Sequence, residues 1–208
     1  MKKIMFNDQY GLTQAVLEGH KTQTRRILNP TMLFERLDTY EGWTQESIAD
    51  WKESCKDRLY KAEGEELKEM LDYALEHSLY KVGENVAIAQ RYSDIPFAND
   101  IFIRAVPIGW SNKMFVKSNL MPHQIKITNI RCERLQDIST DDCMKEGIFC
   151  SHIDGIDDAY SYDATNDNKR KKWWYRTPIE AYKMLSSKLH LHWDSNPLVF
   201  VYDFELIK

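Results

Sequence analysis

The chain has no C-x-x-C pair, no glycine-rich phosphate loop and no run of 18 apolar residues. The first absence argues against a zinc ribbon, because such sites take their ligands in closely spaced pairs. The second argues against nucleotide-phosphate binding by a P-loop or a dinucleotide fold. The third argues against a membrane-spanning helix. The start, MKKIMFNDQY, turns polar after six residues and lacks the apolar segment of a secretory signal. A reducing cytoplasmic setting with free thiols is therefore expected. There is also no basic excess: 28 Lys and Arg stand against 32 Asp and Glu, a net charge of −4. Non-specific nucleic-acid binders are usually basic, so any contact with phosphates would have to be local.

What is present is a globular composition, 43% hydrophobic and 29% charged over 208 residues. That suffices for a single domain, 1–208, carrying a helical insertion at about 31–79 and a long loop at about 151–172. Leu12, Ala15 and Val16 share one helical face, and Gly19 closes that helix. From Thr44 to His77, apolar residues recur at three- and four-residue steps, with a break at Gly64, which predicts two amphipathic helices. These are either packing helices with solvated outer faces or a docking surface for a protein partner.

Strands are expected at Lys3–Asn7, Val86–Ala89, Ile101–Ile108, Gln124–Leu135 and Leu198–Leu206, the last with a clear period of two. Ser139, with Asp142 three residues on, opens a short helix that reaches Glu146 and stops at Gly147. Pro178 opens another, to about Leu189. The pattern is α+β, with mostly antiparallel strands.

Few residues stand out chemically. Lys21 and Thr24 could act as base and nucleophile, since neighbouring Arg25 and Arg26 would lower the lysine pKa. In an extended chain, residues three apart point to opposite faces, so the pair needs a bend to converge. Glu146, at a helix C-terminus, faces an unfavourable dipole, which suits a proton donor. Tyr92, Trp110, Trp173, Trp174 and Tyr175 offer stacking faces for bases, and Lys169-Arg170-Lys171-Lys172 adds charge beside two of them. His20, His123, His190 and His192, and the Cys143–Cys150–His152 set, lack convincing ligand spacing. Neither metal nor cofactor is expected.

These residues together resemble the ASCH family. The carriers are Gly19-His20-Lys21-Thr22-Gln23-Thr24-Arg25-Arg26, the stretch Tyr80 to Ile88, the strand Ile127 to Ile138 with its following Glu146-Gly147-Ile148, and the closing Trp193-Asp194-Ser195-Asn196-Pro197 before the last strand. The resemblance implies a PUA-like β-barrel with flanking helices. It also implies an amidohydrolase acting on N4-acetylcytidine or a related nucleoside, with Lys21 as base, Thr24 as nucleophile and Glu146 as proton donor. Arg25, Arg26, Gln90, Tyr92 and Trp110 would line the substrate or nucleic-acid site. The alternative it implies is an RNA or modified-base binding module, or an RNA-cleaving member. Phage members usually carry Glu-Thr-Trp where this chain has Gln90-Arg91-Tyr92.

Overall fold

A computed structural model describes residues 1–33, 43–96, 106–152, 160–163 and 175–207. The fold is α+β. Five strands form a mixed sheet: β1 (Lys3–Ile4), β2 (Gln23–Ile27), β3 (Asn85–Ile88), β4 (Gln124–Arg134) and β7 (Leu198–Ile207), in the order β1-β3-β4-β7-β2. Only β1 and β3 run parallel. The spine is the antiparallel pair β4–β7, in register from Gln124↔Ile207 to Arg134↔Leu198 with a bulge between Ile127 and Asn129.

Leu198 to Tyr202 are all buried, on both faces of β7. The outer part of β7 follows the expected alternation. Its inner part does not, because a central strand covered on both sides needs apolar residues at every position.

The expected barrel does not close among the described residues. β1 and β2 are the two edges of an open sheet, and β1 is only two residues long, too short to supply a closing ladder. The edges nonetheless approach each other, since Arg26 of β2 donates from Nη2 to the Met5 carbonyl just after β1 at 2.6 Å.

Helices cover the sheet and its ends. α1 (Leu12–Leu17) buries Leu12, Ala15 and Val16. α2 (Gln45–Lys61) opens on a reciprocal cap in which Thr44 accepts from the Ser47 N–H and Ser47 accepts from the Thr44 N–H. α3 (Gly64–Glu76) follows at once. Leu59 and Ala74 belong to the same buried cluster as the sheet residues, and Leu67, Met70, Leu71 and Leu75 pack against it. The apolar stripe of this helix pair therefore faces the protein's own core, which favours packing over partner docking.

α4 (Thr140–Lys145) is capped by the Ser139 hydroxyl, which accepts from the Asp142 N–H, and ends at Glu146. α5 (Pro178–Lys188) carries proline in its first turn behind the Thr177 cap.

The region expected to be one long loop from 151 instead begins inside a hairpin. β5 (Phe149–His152) pairs antiparallel with β6 (Tyr160–Asp163), and Tyr162 bridges to Tyr175. The expected strand at Ile101–Ile108 lies mostly outside the described residues. Its last residue, Ile108, starts a 3-10 turn.

Candidate functional site

The bend that Lys21 and Thr24 require is made by Gly19. Its φ of 76° lies in the left-handed region, open to glycine without strain. The turn brings the N–H groups of both His20 and Lys21 onto the Ala15 carbonyl, at 2.8 and 2.9 Å. β2 then starts at Gln23. Lys21 sits before the strand and so escapes its alternation. Lys21, Thr24, Arg25, Arg26 and Glu146 all line one cleft of about 360 Å³. Met5 and Phe6 form its opposite wall. The cleft thus lies at the gap between the two sheet edges.

Lys21 and Glu146 are both 2% exposed. Nζ of Lys21 donates to the Glu146 carboxylate Oε2 at 2.5 Å and to the Glu146 backbone carbonyl at 2.8 Å. The second bond satisfies a carbonyl left open at the end of α4. Gly147, at φ 100°, turns the chain there, and a Cβ at this position would lie 3.5 Å from the Lys21 Cβ. Burial holds the Lys21 amine below its ordinary pKa of 10.5, the Glu146 carboxylate opposes that, and Arg26 and Arg25 add to the lowering.

Thr24 is also buried, at 5% exposure. Its hydroxyl makes no hydrogen bond among the described residues, and it borders the cleft. On the cleft wall, the Phe6 ring centre lies 6.0 Å from the Lys21 Nζ.

Behind this pair lies a network of charges. Arg25 donates to the other Glu146 oxygen at 3.1 Å, to Gln23 Oε1 at 2.6 Å and to Glu133 Oε1 at 2.5 Å. Asp142 takes Arg25 at 3.3 Å and Arg131 at 2.6 Å, and Gln23 joins Asp142 to Asp203. Burial disfavours the Arg25 charge, but Glu146 leads the groups that raise its pKa above the usual value, so it stays a cation. Burial likewise disfavours charged Asp142, yet the Gln23 hydrogen bond and the Arg131 and Arg25 charges hold its carboxyl below the usual range.

The Tyr182 ring lies 5.8 Å from the Arg25 guanidinium carbon. Its hydroxyl is fully buried with no hydrogen-bond partner among the described residues. Burial, reinforced by Glu146, raises its pKa well above the ordinary value, so it is a neutral phenol. Burial also pushes the Cys143 and Cys132 thiols up to about 12, which leaves neither as a thiolate nucleophile.

Lys21 and Arg25 are thus not surface charges near a helix end. They are buried and matched by carboxylates, so the floor of the cleft is no phosphate-binding surface. Arg26 alone of the three motif cations is exposed.

Gln90, Tyr92 and Trp110 lie elsewhere. Tyr92 is 3% exposed in a second apolar cluster with Ala87, Ala89, Ile95, Val116 and Met121, and Trp110 packs on it. Gly109 presses so close to the Tyr92 ring that a Cβ would come within 2.6 Å of it. Gln90 Oε1 meets His123 Nδ1 at 2.8 Å. None of the three borders the cleft that holds Lys21 and Glu146, where the sequence reading expected them; a strand end followed by aromatics builds a local core here. Trp173, Trp174 and the Lys169–Lys172 run lie outside the described residues.

Sequence reasoning missed Glu133, Asp142, Asp203 and Tyr182. β7 carried a weak signal, since Asp203 interrupts its apolar run from Leu198 to Phe204, whereas Glu133 sits among the polar residues of β4 and is not marked out. Nothing local marked Tyr182. His190 and His192, which lack convincing ligand spacing in the sequence, both adopt left-handed backbone, at φ 58° and 53°. Among the described residues, no three His, Cys, Asp or Glu side chains are grouped to hold a metal, and no helix is long and apolar enough to cross a membrane.

No family model matches the chain, and no curated protein or solved structure matches it either.

Proposed function

We propose that the protein is an amidohydrolase that removes an acyl group from an acylated cytosine, with N4-acetylcytidine as the type substrate. The observation that carries this reading is the Lys21 Nζ–Glu146 Oε2 contact of 2.5 Å beside a free Thr24 hydroxyl in the same cleft. The residue set is the one that the resemblance to the ASCH family implies. The family's PUA-like barrel is part of the same proposal, with the sheet here opened at the substrate cleft.

The chemistry follows from the proton on that short contact. In water the pair would be ammonium and carboxylate. Burial lowers the Lys21 pKa, which favours the amine, and the short contact offers the released proton to Glu146 Oε2. The neutral form, amine and carboxylic acid, is the reactive one. Lys21 as amine takes the Thr24 hydroxyl proton, and the oxygen attacks the acyl carbon. Glu146 as acid protonates the departing cytosine nitrogen. The C–N bond breaks, leaving an acyl ester on Thr24, a Lys21 ammonium and a Glu146 carboxylate. A proton passing from Lys21 to Glu146 across the short contact restores the starting pair. Water then attacks the ester, giving its proton to Lys21, which returns it to the Thr24 oxygen. The products are the free carboxylic acid and the free amine.

Arg25 fixes the second Glu146 oxygen, so the carboxyl presents its other oxygen to Lys21. The test is release of cytidine from N4-acetylcytidine by the purified protein. Turnover that disappears in Lys21→Ala and in Thr24→Val, with folding intact, supports the reading. No turnover by the folded wild-type protein overturns it and leaves a binding module.

A further inference from the structure

Attack by Thr24 creates a charge that none of the side chains named so far receives. When its oxygen bonds the acyl carbon, the carbonyl π pair moves onto the acyl oxygen. That oxygen is an anion until the pair returns and the C–N bond breaks. Hydrolases stabilise such an oxyanion with N–H donors fixed in place before the substrate arrives. The motif's cations are engaged elsewhere: Lys21 with Glu146, Arg25 with three acids, and Arg26 Nη2 with the Met5 carbonyl.

The register of β2 supplies one donor. The Phe204 N–H donates to the Thr22 carbonyl at 2.9 Å, and the Leu28 N–H to the Leu198 carbonyl at 2.9 Å. Both bonds extend the register that sets Thr24 against Tyr202 and Arg26 against Phe200. In an antiparallel ladder, hydrogen-bonded pairs alternate with non-bonded ones. Thr24 and Arg26 therefore turn their backbone groups toward β7, and Arg25 turns its own toward the free edge. β2 ends the sheet, and the Arg25 N–H makes no hydrogen bond among the described residues. Arg25 borders the cleft. The N–H that follows a nucleophile is a recurrent oxyanion donor, because it is held next to the attacking oxygen.

Asn7 supplies a second donor from the opposite edge. It comes shortly after β1 and borders the same cleft. Its Oδ1 accepts from the Gln9 N–H at 2.8 Å. A backbone N–H can bond only the oxygen of a side-chain amide, so this contact fixes which end is Nδ2. The Asn7 carbonyl accepts from the Leu12 N–H at 3.0 Å, which holds the main chain as well. Nδ2 keeps both of its N–H groups without a hydrogen-bond partner among the described residues. The Arg26–Met5 bond ties the two edges together beside it.

We infer that the Arg25 backbone N–H and the Asn7 side-chain amide form the oxyanion hole of this cleft, which makes Asn7 a further catalytic residue. This rests on the hydrolase reading of the same cleft.

The test measures kcat and KM for N4-acetylcytidine in wild type, Asn7→Ser and Asn7→Asp, with thermal unfolding of each. Ser and Asp cap about as well as Asn, so both keep the bond from the Gln9 N–H while removing Nδ2. The expected result is a kcat about a hundredfold lower in both variants, with KM and melting temperature near the wild-type values. A purely structural Asn7 would leave turnover nearly intact in both, and that result overturns the inference while the hydrolase reading stands. A loss confined to Asn7→Asp overturns it too, since the new charge then explains the effect, as does a loss that tracks lost folding in both. Replacing the Thr24–Arg25 peptide bond by an ester deletes the other donor and keeps every side chain. The same fall in kcat is expected there, and unchanged turnover overturns the inference. No turnover by folded wild-type protein overturns the hydrolase reading and the oxyanion hole with it.

Discussion

The Lys21 ammonium nitrogen and Glu146 Oε2 lie 2.5 Å apart, with side-chain exposures of 1% and 3%. They come from a turn after the first helix and from the end of the fourth, 125 residues later. A contact this short and this dry makes the position of one proton decide the character of the site. It also means that either partner left alone would be an uncompensated buried charge or would neutralise.

The first prediction concerns that proton. Turnover should fall as pH rises through a midpoint below 10.5, because the reactive pair holds one proton, burial lowers the Lys21 pKa, and losing that proton leaves Glu146 nothing to give the departing nitrogen. Lys21→Arg should keep the positive charge yet lose turnover at least a hundredfold at every pH, since a guanidinium does not give up its proton. The pH–rate profile of both proteins checks this. A Lys21→Arg variant with near wild-type rate would remove lysine from the mechanism.

A second prediction concerns Arg25. Its guanidinium is wholly buried and holds Glu133, Asp142 and Glu146 together. Truncation to Ala leaves three carboxylates without their shared cation, and the expected loss of stability is about 3–5 kcal/mol. Chemical denaturation measures it. Arg25→Lys should recover only part of the loss, because a point charge cannot make the forked contacts to three acids at once.

Tyr182 supplies a third. Its hydroxyl is buried with no partner among the described residues, so removing it takes away an unpaired polar group without leaving a large void. Tyr182→Phe should be neutral or stabilising by about 1 kcal/mol, whereas a buried hydroxyl with a hidden partner would cost about that much when deleted. Thermal unfolding distinguishes the two, and a clear loss of stability would show that the phenol is bonded in solution.

Much of the chain's local organisation was legible in its sequence. The cap at Ser139, the proline in the first turn of α5, the helix stops at Gly19 and Gly147, the break at Gly64 and the long strands β4 and β7 are set by near-neighbour chemistry. A hydroxyl three residues ahead of an open N–H, or a glycine free to take positive φ, acts over a few residues, so short-range reading finds it. The motif carrying Lys21 and Thr24 was legible for the same reason.

Tertiary structure decided the rest. Whether Lys21 was a surface charge or a buried, paired amine depended on Glu146, which the resemblance but no local pattern ties to it. Whether Tyr92 and Trp110 were stacking platforms or core depended on what packed over them, and Gly109 and Val116 do. The acids Glu133, Asp142 and Asp203 meet only because β4, β7 and α4 lie side by side. Sequence determines what a residue can do through its covalent chemistry and its neighbours within a turn or two. Burial and pairing are properties of distant segments brought together, and they decide which of those capacities a residue uses.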